Sequence, residues 1–393
     1  MDDMQYFEDG YDSTIKHLWL NNIEGINVED VIKLKQSLGN VWNIYDAGLR
    51  VIDGVVGEYK ARQIIKSKSD GKIIELYDRL SEKGISMLYP ERSQYPEKLR
   101  NIHNPPQLLY IKGRIKNCLN EYNKTIGVVG SRNPSTYGRE ICRYFSEKIA
   151  KDGFNIVSGL ALGIDGIAHK AALDNGGYTV AVLGSGIDVA YPRTNIELYS
   201  RIVDNGAVIS EYGLNVKPNP WQFPIRNRII SGLSDGVLIV EAKSGSGSLI
   251  TAEHAAEQGR IVYAIPGRVM DKLNEGNNQL LREGAICATK PEDIIEDMVG
   301  ISNYEKSNEK RTNSDKNNDC SLNENNDRDI DKTDNLTSDE RVIIECLSLE
   351  PVYIDEILQK THFGVTKTIS LLYVLEDKGY IKQPDRGYYI LYI

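Results

Sequence analysis

Positively charged side chains follow predicted strands in the middle of this chain. Arg132 comes directly after the apolar run 125–129, in the sequence TIGVVGSR. Lys243 follows the apolar run 236–240 and borders a Ser-Gly-Ser-Gly-Ser sequence at 244–248. Guanidinium groups bind phosphate through two parallel hydrogen bonds, and ammonium groups bind it as point charges. The chemistry that these residues predict is the binding of a ligand with several phosphates.

Small residues accompany these cations at both corners. They are Gly130 and Ser131 before Arg132, and Ser246, Gly247, Ser248 and Thr251 at the start of a predicted helix. Free N–H groups and the helix dipole favour anions at such a helix start, and Thr251 is expected to be available near the first turn. The alternative interpretation of the second group is a tight strand-to-helix turn that needs glycine only for its backbone.

Further cations are predicted at the same edge of the sheet. Arg226 and Arg228 flank Asn227 at the entrance to a helix, after a proline. Lys170 lies on the helix that follows a second glycine-rich corner, and Arg193 follows a third. Any one of these residues could be a solvated surface charge. Several at the carboxyl edge of one sheet favour phosphate binding instead.

Catalytic motifs are not recognisable in the sequence. Asp165 and His169 are one helical turn apart, but we expect Asp165 to hold a glycine turn and His169 to be structural. Glu211 and Glu241 end predicted strands without a nucleophile or metal ligand beside them. There is no GxxxxGKS/T loop, no GxGxxG fingerprint, no Ser-His-Asp order and no HExxH pattern. We therefore predict no enzymatic activity, no cofactor and no metal site.

The elements that must position these residues are those of an α/β protein. Apolar runs without polar alternation suit strands that are buried on both faces of a parallel sheet. We predict an extended Rossmann-like, mostly parallel sheet core at 85–302, which carries the predicted phosphate-binding residues. A small helical domain, SAM-like or helix-hairpin-helix-like, is predicted at 1–84, with a plain helical cap as the alternative. The proline-rich stretch 89–113 is expected to be an extended strap.

The last part of the chain divides into a linker and a small domain. Residues 303–337 are polar and charged and cannot bury enough apolar surface to fold, so a disordered linker is predicted. Three helices and a hairpin predict a winged helix at 338–393, with Ser338 and Asp339 at the first helix start. Its long helix offers Lys367 but no arginine. Protein contact or accessory DNA binding is therefore favoured over sequence-specific duplex binding.

Composition limits the other classes of function. The chain has 393 residues, a net charge of −9 and five scattered cysteines without a CxxC pair. These features predict two or three domains and a reduced, cytoplasmic protein without structural zinc. The overall charge argues against nonspecific coating of nucleic acid. The core at 125–300 is nearly neutral, with 17 basic and 20 acidic residues, so a local basic site is allowed.

Five motifs in a fixed order carry a resemblance to a known family. They are GSRNPSTYG, VSGLALGIDGIAHKAAL, VLGSGIDVAYPRTN, FPIRNRIISGLSDGVLIVEA and GSLITAEHAAEQGR. With these motifs the chain resembles the DNA-processing protein A (DprA/Smf) family over about residues 89–300. The helical domain and the winged helix fit a longer architecture of that family.

The resemblance implies a function. It implies a homodimeric mediator of recombination that binds and protects incoming single-stranded DNA and loads the RecA recombinase onto it during natural transformation. It also implies that Arg132 contacts DNA and that no enzymatic activity is present. A basic residue that the family often carries before Ser246 is Gly245 in this chain. Either Lys243 or the pair Arg226 and Arg228 would then supply the second contact.

Two other classes of function remain as alternatives. A nucleotide-binding protein or a phosphoribohydrolase-like enzyme could have a related fold, but the chain lacks the PGGxGT-type loop and the catalytic glutamate of such enzymes. A transcription regulator would act through the winged helix, whose long helix carries little positive charge. Binding to single strands, to duplex and to free nucleotide distinguishes the three classes.

Overall fold

The structure is a computed structural model. It describes residues 3–68, 71–115, 124–299, 336–348, 351–361, 363–385 and 387–391. The chain forms two compact units, the first of 1–132 with 146–289 and the second of 133–145 with 290–393. Residues 303–335 of the predicted linker lie outside the described residues. No helix in the described part of the chain is long and apolar enough to cross a membrane.

The N-terminal part of the first unit is helical, as the sequence predicts. Its helices are α1 (Asp3–Asn21), α2 (Val28–Leu38), α3 (Val41–Asp46), α4 (Leu49–Val56), α5 (Glu58–Ser67) and α6 (Lys72–Glu82). A capping box between Asn27 and Asp30 begins α2. Leu18 and Leu80 pack into the same core as the sheet residues Met87 and Tyr110. These helices therefore share buried surface with the sheet, and the predicted boundary at residue 84 stays a prediction.

A nine-stranded sheet forms the centre of the first unit within the described residues. Its strands are β1 (Ile85–Leu88), β2 (Leu109–Gly113), β3 (Thr125–Val129), β4 (Asn155–Ser158), β5 (Thr179–Val182), β6 (Ala207–Ser210), β7 (Gly236–Ile239), β8 (Ile261–Ala264) and β9 (Ile286–Cys287). The strand order is β1-β2-β6-β5-β4-β3-β7-β8-β9. In this sheet β1 pairs antiparallel with β2, and β2 pairs antiparallel with β6. All pairs from β6 to β9 are parallel. The predicted mostly parallel α/β core is confirmed.

Helices connect the strands of the sheet. They are α7 (Glu97–Arg100), α8 (Thr136–Lys151), α9 (Ile164–Asp174), α10 (Ile196–Asn205), α11 (Gln222–Gly232), α12 (Gly247–Glu257) and α13 (Glu275–Arg282). Every residue of β3 to β7 is buried, because a parallel sheet of this kind has no solvated face. The expected strap at 89–113 is only partly extended, since it contains α7 and ends in β2, which pairs with two strands.

The second unit contains the C-terminal helices and a small sheet. Its elements are α14 (Pro291–Val299), α15 (Ser338–Glu345), β10 (Val352–Tyr353), α16 (Ile354–Thr361), α17 (Val365–Asp377), β11 (Ile381–Asp385) and β12 (Tyr388–Leu391). The strand order in the described residues is β10-β12-β11. The N-cap of α15 is Thr337, which forms a capping box with Glu340, and the helix itself begins at Ser338. The winged-helix assignment stays a prediction.

His169 on α9 is structural, as expected. Its Nδ1 lies 2.7 Å from the Thr179 hydroxyl, which itself donates to the Ile156 carbonyl at 2.8 Å. The Nδ1–H group must therefore donate to Thr179, which leaves Nε2 without a proton. Burial, with a smaller effect from the positive charge of Arg226, lowers the pKa of His169 to about 3. Protonation of this side chain therefore opposes folding.

The first prediction concerns this histidine and pH. Because the folded pKa lies below the unfolded value of about 6.5, stability from neutral His169 is present above pH 6.5 and is lost as the pH falls toward 3. We expect His169 to lower the free energy of unfolding by about 1.4 kcal/mol between pH 7.5 and pH 5.5. Urea unfolding of H169Q should show a correspondingly smaller pH dependence. The control is H103Q, at the exposed His103, which should keep the pH dependence of the wild type. An unchanged pH dependence of H169Q would contradict the assignment of His169 as a buried, neutral side chain.

Candidate nucleic-acid interface

The candidate site lies where the strand order of the sheet reverses. Strands β3 and β7 are parallel neighbours, although three strands separate them in the sequence. In open α/β sheets such a switch point leaves a crevice outside the carboxyl ends of the strands. The Ser131 N–H group donates to the Glu241 carbonyl at 2.7 Å across this crevice. The structure therefore brings residues 130–132, here called the arginine corner, next to 244–248, the Ser/Gly loop.

Close packing requires glycine at the start of the arginine corner. A Cβ atom on Gly130 would lie 2.8 Å from Ile164 Cγ1 and 3.0 Å from the Glu241 carbonyl oxygen. The Ile164 N–H group also donates to the Ser131 carbonyl at 3.1 Å. The corner is therefore held between the loops after β4 and β7. This packing fixes the backbone from which Arg132 projects.

The Arg132 side chain is exposed and stacks on an aromatic ring. Its guanidinium carbon lies 5.4 Å from the centroid of the Phe223 ring, a cation–π distance. It forms no ion pair with any carboxylate of the described residues. Its hydrogen-bond donors are thus available to a ligand while the stack limits the motion of the side chain. This geometry suits a phosphate with a neighbouring base.

The charge and small-residue patterns of the sequence did not predict the aromatic residues that accompany Phe223 in this part of the chain. Tyr191 lies 5.7 Å from Phe223 and Trp221 lies 6.2 Å from Tyr212, measured between ring centroids. Trp221 is 58% exposed although it is a large apolar side chain. A Cβ atom on Gly184 would lie 2.8 Å from the Phe223 ring, so this glycine makes room for it. The proline-flanked sequence KPNPWQFP was the signal that could have revealed this surface.

The Ser/Gly loop leads into α12, as predicted. Ser246 is the N-cap, and its hydroxyl accepts from the Ser248 N–H group at 3.4 Å and lies 2.7 Å from the Ser248 hydroxyl. Gly245 has a φ of +71°, which glycine adopts without strain. Apart from its chain neighbours and the backbone of its own helix, Gly247 has no heavy atom within 4 Å of the position that a Cβ would take. The backbone at the start of α12 therefore has open space before it, and the exposed Lys243 lies beside it.

Three predicted ligand contacts differ from expectation in their position. Thr251 is only 1% exposed and Ser248 is buried, because both face inward from the first two turns of α12. Thr251 is therefore not available to a ligand. Lys170 is exposed, but it lies six residues after Ile164 on α9, about 9 Å along the helix axis. No contact joins Lys170 to the other candidate residues in the described structure.

Arg226 also differs from expectation, because it is a buried brace. Its Nη1 donates to the Gly159 carbonyl at 2.7 Å and to the Val182 carbonyl, which joins the ends of β4 and β5. Burial lowers the pKa of Arg226 to about 10, while the negative charge of Asp165 opposes this shift. The guanidinium therefore satisfies groups of the fold and does not project into solvent.

Arg228 is likewise buried, in an ion pair with Glu211. Its Nη2 donates to both carboxylate oxygens of Glu211, at 2.6 and 2.7 Å. Burial raises the pKa of Glu211, and the neighbouring Arg228 opposes this shift. Asn227 is half-buried between the two arginines, and its Nδ2 donates to the Gly247 carbonyl at 3.1 Å. Asn227 therefore helps to position the Ser/Gly loop, and the paired Arg228 does not extend the positive surface of that loop.

The carboxylates of the site support the fold. Asp165 Oδ2 accepts from the Gly159 N–H group at 3.1 Å and from the Ala161 N–H group at 3.4 Å, so it holds the turn before α9 as expected. Glu241 is fully buried. Among the residues that the structure describes, no three His, Cys, Asp or Glu side chains are grouped to hold a metal ion.

The second prediction tests the role of Arg226 as a brace. In R226Q the buried Asp165 loses its counter-charge and two carbonyls lose a charged donor, so we expect a loss of about 3–5 kcal/mol in the free energy of unfolding. Urea unfolding measures this loss. The control is R282Q, because Arg282 is exposed at the end of α13. If R226Q is as stable as the wild type but no longer binds the ligand, Arg226 is a ligand contact and not a brace.

Relatives of known sequence match most of the chain. The family model of DNA recombination-mediator protein A matches residues 86–299. The DNA processing protein DprA of Bacillus subtilis is 38% identical over 272 residues, which cover 67% of this chain and 91% of that protein. Protein Smf of Escherichia coli is 46% identical over 213 residues, which cover 54% of this chain and 56% of that protein.

Solved structures agree with this match. DNA processing protein A of Streptococcus pneumoniae has a TM-score of 0.62 and 36% identity and covers 72% of this chain and 96% of its own. DNA processing protein A of Helicobacter pylori, studied for its single-stranded DNA binding mode, has a TM-score of 0.50 and 30% identity. The match covers 56% of this chain and 97% of that protein's chain. The chain therefore belongs to the DNA recombination-mediator protein A family.

Proposed function

We propose that this protein binds single-stranded DNA at the carboxyl edge of its sheet and acts as a mediator of recombination. The observation that carries the proposal is the exposed Arg132, stacked on Phe223 beside the open backbone of the Ser/Gly loop. Family membership and the single-stranded DNA binding of the Helicobacter pylori protein support the choice of ligand. Arg132, Gly130, Ser131, Lys243, Ser246 and Gly247 are the proposed contacts.

The chemistry of the surface favours single strands over duplex. Exposed aromatic rings such as Trp221 and Tyr191 can stack on a base only when that base is not stacked within a helix. Arg132 and Lys243 supply local positive charge on a chain whose net charge is −9. Binding is therefore expected to depend on this edge and not on the field of the whole protein. Backbone N–H groups add contacts that carry no sequence preference.

The third prediction tests Arg132. We expect R132A to weaken binding of a labelled single-stranded oligonucleotide by about 1–3 kcal/mol, because a charge-assisted hydrogen bond is lost. The slope of log affinity against log salt should fall in magnitude by about 0.7, the value for one phosphate contact on a single strand. Fluorescence anisotropy measures both quantities.

Two controls make this test specific. Unfolding of R132A should match wild type, because the side chain is exposed. R282A, at the exposed last residue of α13, should bind normally. Duplex DNA and free nucleotide serve as competitors. Tighter binding of a defined duplex would contradict the proposal, and tight binding with turnover of a free nucleotide would favour the nucleotide-enzyme alternative.

The mediator role extends this proposal to protein partners. We propose a cytoplasmic homodimer that protects single strands and loads RecA onto them without an enzymatic activity of its own, as in natural transformation. The edge strand β9 offers one surface for self-association, since among the described residues it pairs with β8 alone and its Ile286 is exposed. Two cores in one particle would present a longer track for DNA than one.

The fourth prediction tests RecA loading. RecA is mixed with single strands coated by single-strand-binding protein, and filament formation is followed with and without the full chain. We expect the wild-type protein to accelerate filament formation and R132A to do so less, because loading requires DNA capture. Nucleotide hydrolysis by this protein in the absence of RecA would contradict the non-enzymatic mechanism.

A further inference from the structure

An exposed apolar loop tip lies at the same sheet edge as the proposed DNA contacts. The tip consists of Val269 and Met270, which are 87% and 93% exposed and lie in the loop between β8 and α13. Covering such exposed apolar side chains with a ligand removes them from water and so stabilises the complex. None of the candidate contacts that the sequence predicted includes this loop.

The loop that carries the tip is braced on both sides. The Gly267 N–H group donates to Asn278 Oδ1 at 3.2 Å, and Asn278 Nδ2 donates back to the Gly267 carbonyl at 3.1 Å. Asp271 accepts from the Leu273 N–H group at 3.0 Å and from Asn274 Nδ2 at 2.9 Å. These hydrogen bonds fix both ends of a short segment. The tip is therefore exposed on a loop whose two ends are held by hydrogen bonds.

The helix that follows this loop, α13, is attached to the residues just before the Ser/Gly loop. The Gly276 N–H group donates to the Ala242 carbonyl at 2.8 Å, and a Cβ atom on Gly276 would lie 3.1 Å from the Lys243 carbonyl oxygen. Asn277 Nδ2 donates to the Ile239 and Ile265 carbonyls, both at 2.9 Å, and so joins the carboxyl ends of β7 and β8. The helix that ends the loop of the tip is thus anchored at the same sheet edge as the proposed phosphate contacts.

The sheet order places the contacts in a row. Strands β3, β7 and β8 are consecutive neighbours, about 4.8 Å apart. The arginine corner, the Ser/Gly loop and the tip follow these three strands in turn. A single strand that crosses the sheet edge past the first two would reach the tip next.

We propose that Val269 and Met270 form an apolar contact for unstacked bases, at the β8 end of the DNA track. This inference rests on the proposed function. A flexible thioether and a small aliphatic group pack on the face of any base, which suits binding without sequence preference. Two side chains are far too small for a stable protein interface of about 800 Å² on each partner, so the occupant that we infer is DNA.

Oxidation of Met270 tests the contact directly. Dilute hydrogen peroxide converts an exposed thioether to its sulfoxide, and mass spectrometry of the Met270 peptide gives the rate. We expect a saturating 20-nucleotide oligo-dT to slow oxidation at least threefold in the full-length wild-type protein. An unchanged rate, while anisotropy confirms that the oligonucleotide is bound, overturns the tip contact and leaves the proposed function intact. Absence of binding in the anisotropy measurement counts against the proposed function itself.

A paired substitution gives a second measurement. V269S/M270S should bind the 20-nucleotide strand three- to tenfold more weakly with unchanged thermal unfolding. The matched control is L49S/V51S, which alters two exposed aliphatic residues of α4 and should bind as wild type. Equal affinities of V269S/M270S and wild type overturn the proposal. So does protection of Met270 that rises with protein concentration without DNA, since a second copy would then cover the tip.

Discussion

The pairing of β3 with β7 is the constraint on which the site depends. In every other parallel pair from β6 to β9, the two strands are consecutive in the sequence. Strands β3 and β7 are neighbours in the sheet although β4, β5 and β6 lie between them in the sequence. Because both strands end at the same edge, two loops far apart in sequence become adjacent. The hydrogen bond from Ser131 to Glu241 then sets their separation. Arg132 and Lys243 can act on one ligand only because of this pairing.

Charged residues at this edge divide into two groups by burial. Arg226 and Arg228 are buried, and their donors bind carbonyls or the carboxylate of Glu211. Arg132 and Lys243 are exposed and are not paired with a carboxylate of the described residues. A buried charge needs nearby partners, since desolvation is costly, whereas an exposed charge retains its capacity to bind phosphate. The first group therefore maintains the shape of the edge, and the second gives it its charge.

The aromatic and apolar side chains of the edge complete this picture. Phe223 rests on Gly184 and supports Arg132, while Trp221 and Tyr191 stay exposed. Val269 and Met270 stand at the other end of the row. Exposed apolar surface is costly in a chain that binds nothing, and here it flanks the positive charge on both sides. Phosphate and base contacts would then alternate along one edge of the sheet.

The sequence by itself determined the class of fold and the nature of the corners. Apolar runs, glycine-rich turns and the placement of Arg132 after a strand depend on local pattern, and they predicted the parallel sheet and the start of α12. The prediction of a linker and the resemblance to the family also depended on local sequence, namely on composition and on short motifs. Asp165 and His169 were assigned correctly as structural residues, because a lone pair without a third group rarely forms a catalytic site.

Only the tertiary structure decided which charges face solvent. Arg226, Asn227 and Arg228 look alike in sequence to any basic helix entrance, yet β4, β5 and Glu211 surround the two arginines in the fold. Thr251 was expected at the surface, but the rotation of α12 on the sheet buries it. The exposure of Trp221 and Met270 was equally unpredictable, because apolar residues are ordinarily assigned to the core. Burial depends on contacts between residues far apart in the chain, and no local pattern records them.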